Sequence, residues 1–559
     1  MDDCSLQELT EEKLVVFVAA TTGQGDDPAN MKTFFQTLWN KRSNRNLLKD
    51  MYYGVLGLGD SSYQKFNFAA KRLNKLIQIL GAKPIINIGL ADDQHELGPD
   101  FIIDKWVKEL FEILLNLYPL PSGLQPITEY FLPPPKYHIK FVESESLDVQ
   151  SNVENNPKPS DAFSRTNEIE MKISSITKNL RKTSVDHFQD VRLIEFDVTS
   201  LSYSHNPGDI LTIQPQNLDE YVEEFIECLG LERHLKFYIF SGTNNFKPSP
   251  LLPQPCTVEQ CVKCYFDIQC VPKRHFFELL SHFTTDENEK EKFLEFASAE
   301  GQEEMFNYCT RPKRSILEAL ADFPFTKNNI PFEYLFNLIP PIKPRDYSIA
   351  SSCKTIPGRA QILMAVVNYK TILKRPRLGL CSNWLARLEL GSLVYIGIKK
   401  GTLLFPDSKS ECPPVVMIAP GTGCAPFRSY IQERIAFDNS DNLILIFGCR
   451  GKDKDYFFKE EWEYLSEKKK LLLFCAFSRD QEDKIYIQHV MKDNYQELWK
   501  YIGNANCKIY YAGNAKRIPI DVYEALQYIC EKALNLSTKE AEAYMKKNID
   551  KRYQTESWA

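Results

Sequence analysis

Unbroken apolar runs and alternating ones divide this chain into regions. LVVFVAA at residues 14 to 20, the stretch Tyr52–Leu58 and a third run ending near Ile88 are continuous, and each stops at a cluster rich in glycine and aspartate. Runs of that length predict parallel strands buried on both faces. Alternation takes over around Val191–Val198, Asp209–Ile213 and Gln361–Tyr369, which predicts an antiparallel barrel. Between Asn217 and about Pro340 the spacing turns helical, as in EEFIECLGL and RSILEALADF. In the last third the runs LILIF, LLLFCAF and KIYYA alternate with helical stretches and predict a doubly wound parallel sheet. PPPKYHIKF is expected to enter the barrel, and the polar stretch Glu143–Asp161 to be loop.

Candidate chemistry sits where the runs end. After Pro414–Ile418 comes APGTGCAPFRSYIQER, in which Gly421, Thr422 and Gly423 lead from strand into helix. Backbone N–H groups at a positive helix end suit a pyrophosphate, although a glycine-rich turn also serves simply to pack helix on sheet. FGCR at Phe447–Arg450, FSRD at Phe477–Asp480 and YAGNAK at Tyr511–Lys516 close the other runs. Ser478 and Arg479, with Lys484, Tyr486 and Gln488, offer the hydroxyl, guanidinium fork, ammonium and phenol that a phosphate monoester needs, so NADPH is expected over NADH. Upstream, RDYSIASS places Arg345, Asp346, Tyr347 and Ser348 on one strand. Arg345 can fork onto a pyrophosphate, Tyr347 offers a flat face, and Ser348 can bring a hydroxyl to a ring nitrogen. Gly379, Leu380, Cys381 and Ser382 are expected to open a helix beginning at Trp384, a second anion-binding end.

Composition narrows the class. A chain of 559 residues with 43% hydrophobic and 25% charged positions is long enough for three or four globular domains. The net charge of −6 argues against a nucleic-acid binder, and no apolar run approaches the roughly eighteen residues of a membrane span. Fifteen cysteines without paired spacing, and an acidic start at MDDCSLQELTEEK, point to a reducing, cytoplasmic setting.

Taken in order, RDYS, GLCSNWL, PGTGCAPFR, FGCR, FSRD with KIYIQ, YAGNAK and the penultimate Trp558 resemble the ferredoxin–NADP reductase family, in its diflavin branch that includes cytochrome P450 reductase. The resemblance covers about residues 130 to 559. It implies an α/β multidomain chain: a flavodoxin-like FMN domain over 1–130, an antiparallel FAD-binding barrel in two parts (131–215 and 341–411), a helical connecting insertion at 216–340, and an NADPH-binding sheet at 412–559. Thr22, Gly23, Gln24, Leu58, Gly59, Tyr63, Asn67 and Asp92 would surround the FMN ring, and Trp558 would cover the FAD ring. Ser348 matches the serine that assists hydride transfer in P450 reductase; Ala512 stands in place of that enzyme's cysteine, and Glu556 in place of its aspartate. HFQDVRLIEFD, the QPC at Gln254–Cys256, FASAEGQEE, DDQHELGPD and the ending YQTESWA are similar to the diflavin enzymes that supply electrons to cytosolic iron–sulfur cluster assembly, with an anamorsin-like acceptor. One departure stands out. No strand and no Ser/Thr/Gly loop precede Leu14, so a shortened flavodoxin sheet with an exposed apolar edge and a weakly held FMN phosphate is expected. An FAD-only NADPH dehydrogenase, or a non-enzymatic competitor for the acceptor, are the alternatives.

Overall fold

The computed structural model describes the chain apart from residues 3, 23–24, 64, 126–129, 143–162, 165–168, 202, 243–247, 411–412 and 559. The stretch Glu143–Asp161 lies outside the described residues. Two compact units result: Met1–Pro133 with Lys292–Arg311 and Trp558–Ala559, and Pro134–Glu291 with Pro312–Ser557.

The first unit is built on a parallel sheet. β1 (Leu14–Ala20) pairs along its whole length with β2 (Tyr52–Gly59), and β2 pairs in turn with β3 (Lys83–Pro84) and β4 (Gly89–Asp92). The third apolar run is therefore not one strand ending near Ile88. Pairing with β2 lapses after Pro84, resumes at Gly89 and carries on to Asp92. On one face Phe17, Ala19, Tyr53 and Val55 pack with the helices Lys32–Asn40 and Phe68–Ile79; on the other Leu56 and Ile86 meet Trp106 and Leu110 of the helix Asp100–Leu117. β1 lies at the edge, where Val16 and Val18 stay 41% and 51% exposed.

The second unit opens with β5 (Tyr137–Phe141), β6 (Phe163–Ser164), β7 (Glu170–Arg181), β8 (Val191–Asp197) and β9 (Ile210–Gln214). The helical region that follows contains β10 (Lys236–Ser241) and β11 (Cys256–Thr257). Here the expectation for PPPKYHIKF fails. β5 pairs with β10 rather than with the barrel, because Phe141 packs edge-on against Phe237 and both meet Phe332. The helix Ile316–Asp322 starts at a capping box between Ser315 and Glu318, and Glu318 also pairs with Arg377 at 2.7 Å.

The chain then returns to the barrel through β12 (Arg345–Ser348), β13 (Arg359–Ala365), the hairpin of β14 (Asn368–Tyr369) and β15 (Arg377–Leu378), and β16 (Leu393–Lys399). The sheet runs β12-β9-β16-β7-β8-β13, and an Ile349–Ile362 bridge brings its two ends nearly together. Last comes the order β19-β18-β17-β20-β21, with β17 (Val415–Pro420), β18 (Leu443–Cys449), β19 (Leu472–Phe477), β20 (Lys508–Asn514) and β21 (Tyr553–Trp558). β17 is parallel to both β18 and β20, and β18 to β19, as the unbroken runs predict.

Candidate functional site

β12 carries Arg345, Asp346, Tyr347 and Ser348, the residues expected at a flavin. Pairing of Arg345–Ser348 with Ile213–Ile210 of β9 alternates their side chains across the sheet. The Tyr347 phenol reaches the Cys381 thiol; burial pushes the tyrosine well above its usual range and the thiol up to about 12. Arg345 Nη1 donates to the Lys343 carbonyl at 2.7 Å, while Asp346 accepts from Thr212 Oγ1 at 2.7 Å and from Lys399 Nζ at 2.6 Å. The helix after Gly379 begins at Leu380, not at Trp384. The side chains of Ser382 and Asn383 cause the earlier start: Ser382 Oγ accepts from Val367 N and donates to Gly379 O, and Asn383 Nδ2 donates to both Val367 O and Gly379 O. Leu380, Cys381 and Ser382 thus form the first turn of an eight-residue helix.

Ser348 Oγ donates to Glu556 Oε1 at 2.8 Å, and Thr402 Oγ1 donates to Glu556 Oε2 at 2.9 Å. The serine and glutamate, 208 positions apart, are brought into one hydrogen-bonded group. Burial pushes the Glu556 carboxyl up, with the two hydroxyls opposing. Trp558 ends the same strand and is half-buried. Thr402 has no signal in the sequence that singles it out.

At the nucleotide sheet, Gly421 takes φ +59° and a Cβ at Gly423 would run into the Ala512 carbonyl, so both glycines are required by geometry. Thr422 lies between them in the short turn that leads into the helix Cys424–Ala436. Ser478 N donates to Cys449 O across the strand ends, the Arg479 guanidinium stands 6.0 Å from the Tyr486 ring centre, and Lys484 is exposed on the same loop. Gln488 is turned aside to Asp521 at 3.2 Å. Cys449 is buried, and burial with Asp455 nearby pushes its thiol up, which suits packing rather than a reactive thiolate.

In the first unit, loops gather at the carboxyl ends of β1, β2 and β4. Gly23 and Gln24 lie outside the described residues. Thr22 bridges to Asp26, and its hydroxyl donates to the Asp26 carbonyl at 3.2 Å. Leu58 and Gly59 end β2, and Asn67, buried with φ +54°, donates through Nδ2 to Ala91 O. Its Oδ1 is buried against Gly57 and Gly59 and has no hydrogen-bond partner among the described residues. Tyr63 is half-buried, and burial raises its phenol. Burial works against ionised Asp92, but bonds to Ser61 and Gln94 outweigh it and hold the carboxyl below its usual range. This donor and acceptor set fits the polar edge of a flavin ring, and Tyr347 with Ser348 fits a second one. Among the described residues no strand precedes β1.

Three families match the chain in succession. Residues 1–106 match the flavodoxin family, 162–384 an FAD binding domain, and 417–519 an oxidoreductase NAD-binding domain. The chain is 46% identical to NADPH-dependent diflavin oxidoreductase 1 of Xenopus laevis and 44% identical to that of Mus musculus, in each case over all of this chain and 94% of the relative. To the Arabidopsis thaliana protein of the same name it is 35% identical, over 98% of this chain and 92% of the relative.

Proposed function

Because the chain belongs to the NADPH-dependent diflavin oxidoreductase family, we propose that it passes electrons from NADPH, by way of FAD and FMN, to a protein acceptor of cytosolic iron–sulfur assembly of the anamorsin-like kind. Bound FAD supplies a two-electron acceptor for hydride, and bound FMN supplies single electrons for export. The observation that carries the reading is the Ser348–Glu556–Thr402 group, in which β21 of the last sheet meets the barrel. The hydrogen bond between Ser348 Oγ and the Glu556 carboxyl gives a path along which a proton can move between the two. Arg345 and the turn at Gly379–Ser382 are suited to hold a pyrophosphate. Arg479, Tyr486 and Lys484 hold the 2′-phosphate of NADPH and so exclude NADH in proportion to that contact.

No helix among the described residues is long and apolar enough to cross a membrane, which is compatible with the cytosolic setting proposed. Trp558 is assigned the gating of nicotinamide access. Deleting Trp558 and Ala559 is expected to narrow the NADPH-over-NADH preference, and an unchanged preference counts against the gate.

Stopped-flow reduction by NADPH tests the Ser348 assignment. Ser348→Ala and Glu556→Gln are each expected to slow flavin reduction about 10²-fold or more, within the usual span of acid–base contributions. Wild-type rates in both variants would remove the pair from the reaction. For the acceptor, NADPH-driven bleaching of a purified anamorsin-like iron–sulfur protein is the assay, and no bleaching by a flavin-replete chain would refute that part of the reading.

A further inference from the structure

Two arginines lie buried on the helix that leaves the Gly421–Gly423 turn, and they do different things. Arg434, 0% exposed, spends its donors inside its own sheet region, on Tyr430 Oη, on the Asn439 side chain and carbonyl, and on Asp441 O. Arg428, 8% exposed, reaches out of it. Its Nε donates to Glu461 Oε2 at 2.8 Å, and its Nη1 donates both to Ala350 O and to Gln361 Oε1, each at 2.8 Å. The guanidinium also lies over Phe458, 4.2 Å from the ring centre. Ala350 is two residues beyond Ser348, and Gln361 lies on β13.

The polar chain continues into the barrel. Gln361 Nε2 donates to the buried Glu195, which Lys178 and Thr177 also hold, both at 2.9 Å. Beside Arg428, Ser429 Oγ donates to Ser351 O at 2.9 Å, Ser352 N donates to Gln432 Oε1 at 3.1 Å, and Ser352 Oγ donates to Glu433 Oε2 at 3.2 Å. One helix therefore carries the nucleotide turn at its start and grips the segment 350–352, just beyond β12, with its middle. An apolar seam would tolerate sliding by fractions of an ångström. A charged fork with three directional acceptors does not, and its burial is costly unless every partner is in place.

We propose that Arg428 is a positioning residue for hydride transfer: it fixes the Gly421–Gly423 turn against the Ser348 end of β12, and so sets the reach between nicotinamide and flavin. It touches neither reactant and acts through Ala350 and Gln361. Reaction geometry of this kind is steep, since a displacement of about 1 Å can cost about 10²-fold in rate.

The test uses the full flavin-loaded chain in three variants: Arg428→Met, Arg428→Lys and Arg434→Gln. Expected for Arg428→Met are retained FAD, affinity for 2′,5′-ADP within about twofold of wild type, and a tenfold to hundredfold lower rate of flavin reduction at saturating NADPH, in the span set by that displacement. The primary isotope effect with NADPH deuterated at the transferred position should rise. Arg428→Lys keeps the charge but has no fork, so its rate should fall between the two; it also serves as the folded variant if the methionine is unstable. Arg434→Gln should lower the melting temperature without changing the saturating rate. A wild-type saturating rate in either Arg428 variant, or a parallel loss of 2′,5′-ADP binding, overturns the proposal. It rests on the hydride step proposed above, and the two fail differently: a wild-type chain that does not oxidise NADPH refutes that step, whereas an active wild type with unaffected Arg428 variants refutes only the positioning role.

Discussion

The two parallel sheets of this protein are written in nearly the same hydrophobic language and are buried to different extents. In the NADPH sheet every residue from Val415 to Ala419 is 0% exposed, because helices cover both faces and β18 and β20 flank β17. In the FMN sheet the equally apolar β1 is an edge strand, with Phe17 and Ala19 buried while Val16 and Val18 face out. An unbroken apolar run states that a strand can be buried on both sides. Whether it is depends on what the topology lays over it.

The largest expected effect that tests this contrast is on stability. Ile418→Ala, in the fully covered strand, should cost about 2–5 kcal/mol, whereas Val18→Ala on the half-covered edge should stay within about 0.5 kcal/mol. Denaturant unfolding followed separately by FAD and FMN fluorescence would read both. Equal costs would mean that the edge of β1 is covered in solution.

Next comes the ligand end of the covered sheet. Arg479→Ala removes a charge-assisted contact worth about 1.5–3 kcal/mol, so NADPH affinity should fall about ten- to a hundredfold while NADH is nearly unaffected. Equal losses for both nucleotides, measured by titration, would take Arg479 off the 2′-phosphate.

A smaller effect concerns pH. The Glu556 carboxyl is raised above its ordinary value of 4.5 by burial. Below 4.5 it is protonated in both folded and unfolded chains and its contribution is fully present. As pH rises through the raised folded value, the unfolded chain has already ionised and that contribution is lost. Glu556→Gln should therefore flatten the decline in melting temperature across that interval; an unchanged slope would show that Glu556 is not the group responsible.

The placement of the candidate residues could be read from the sequence where they sit at strand ends. Gly421 and Gly423 stand in a turn whose φ and close approach admit little else, and Ser478, Arg479 and Tyr486 are near neighbours in the chain. What could not be read was long-range or carried by ordinary residues. Thr402 reaches Glu556 across 154 positions, and Arg428 sits in a quoted motif but finds its partners on Ala350 and Gln361. The helix start at Leu380 is set by Ser382 and Asn383 bonding back to Gly379, a local device that apolar spacing does not report. β5 departs from the expectation for the opposite reason: its alternation suits any antiparallel partner, and the aromatic cluster around Phe237 selects one outside the barrel.

The central claim is that electrons enter at the covered sheet and the barrel and leave through the half-covered FMN sheet. Purified protein depleted of FMN, then titrated with it, tests this directly when ferricyanide and cytochrome c reduction by NADPH are followed against bound flavin. Ferricyanide reduction is expected to be constant throughout, with one FAD per chain, and cytochrome c reduction to rise from near zero in proportion to FMN bound. Full cytochrome c reduction without FMN, or FMN uptake that leaves it unchanged, would contradict the account.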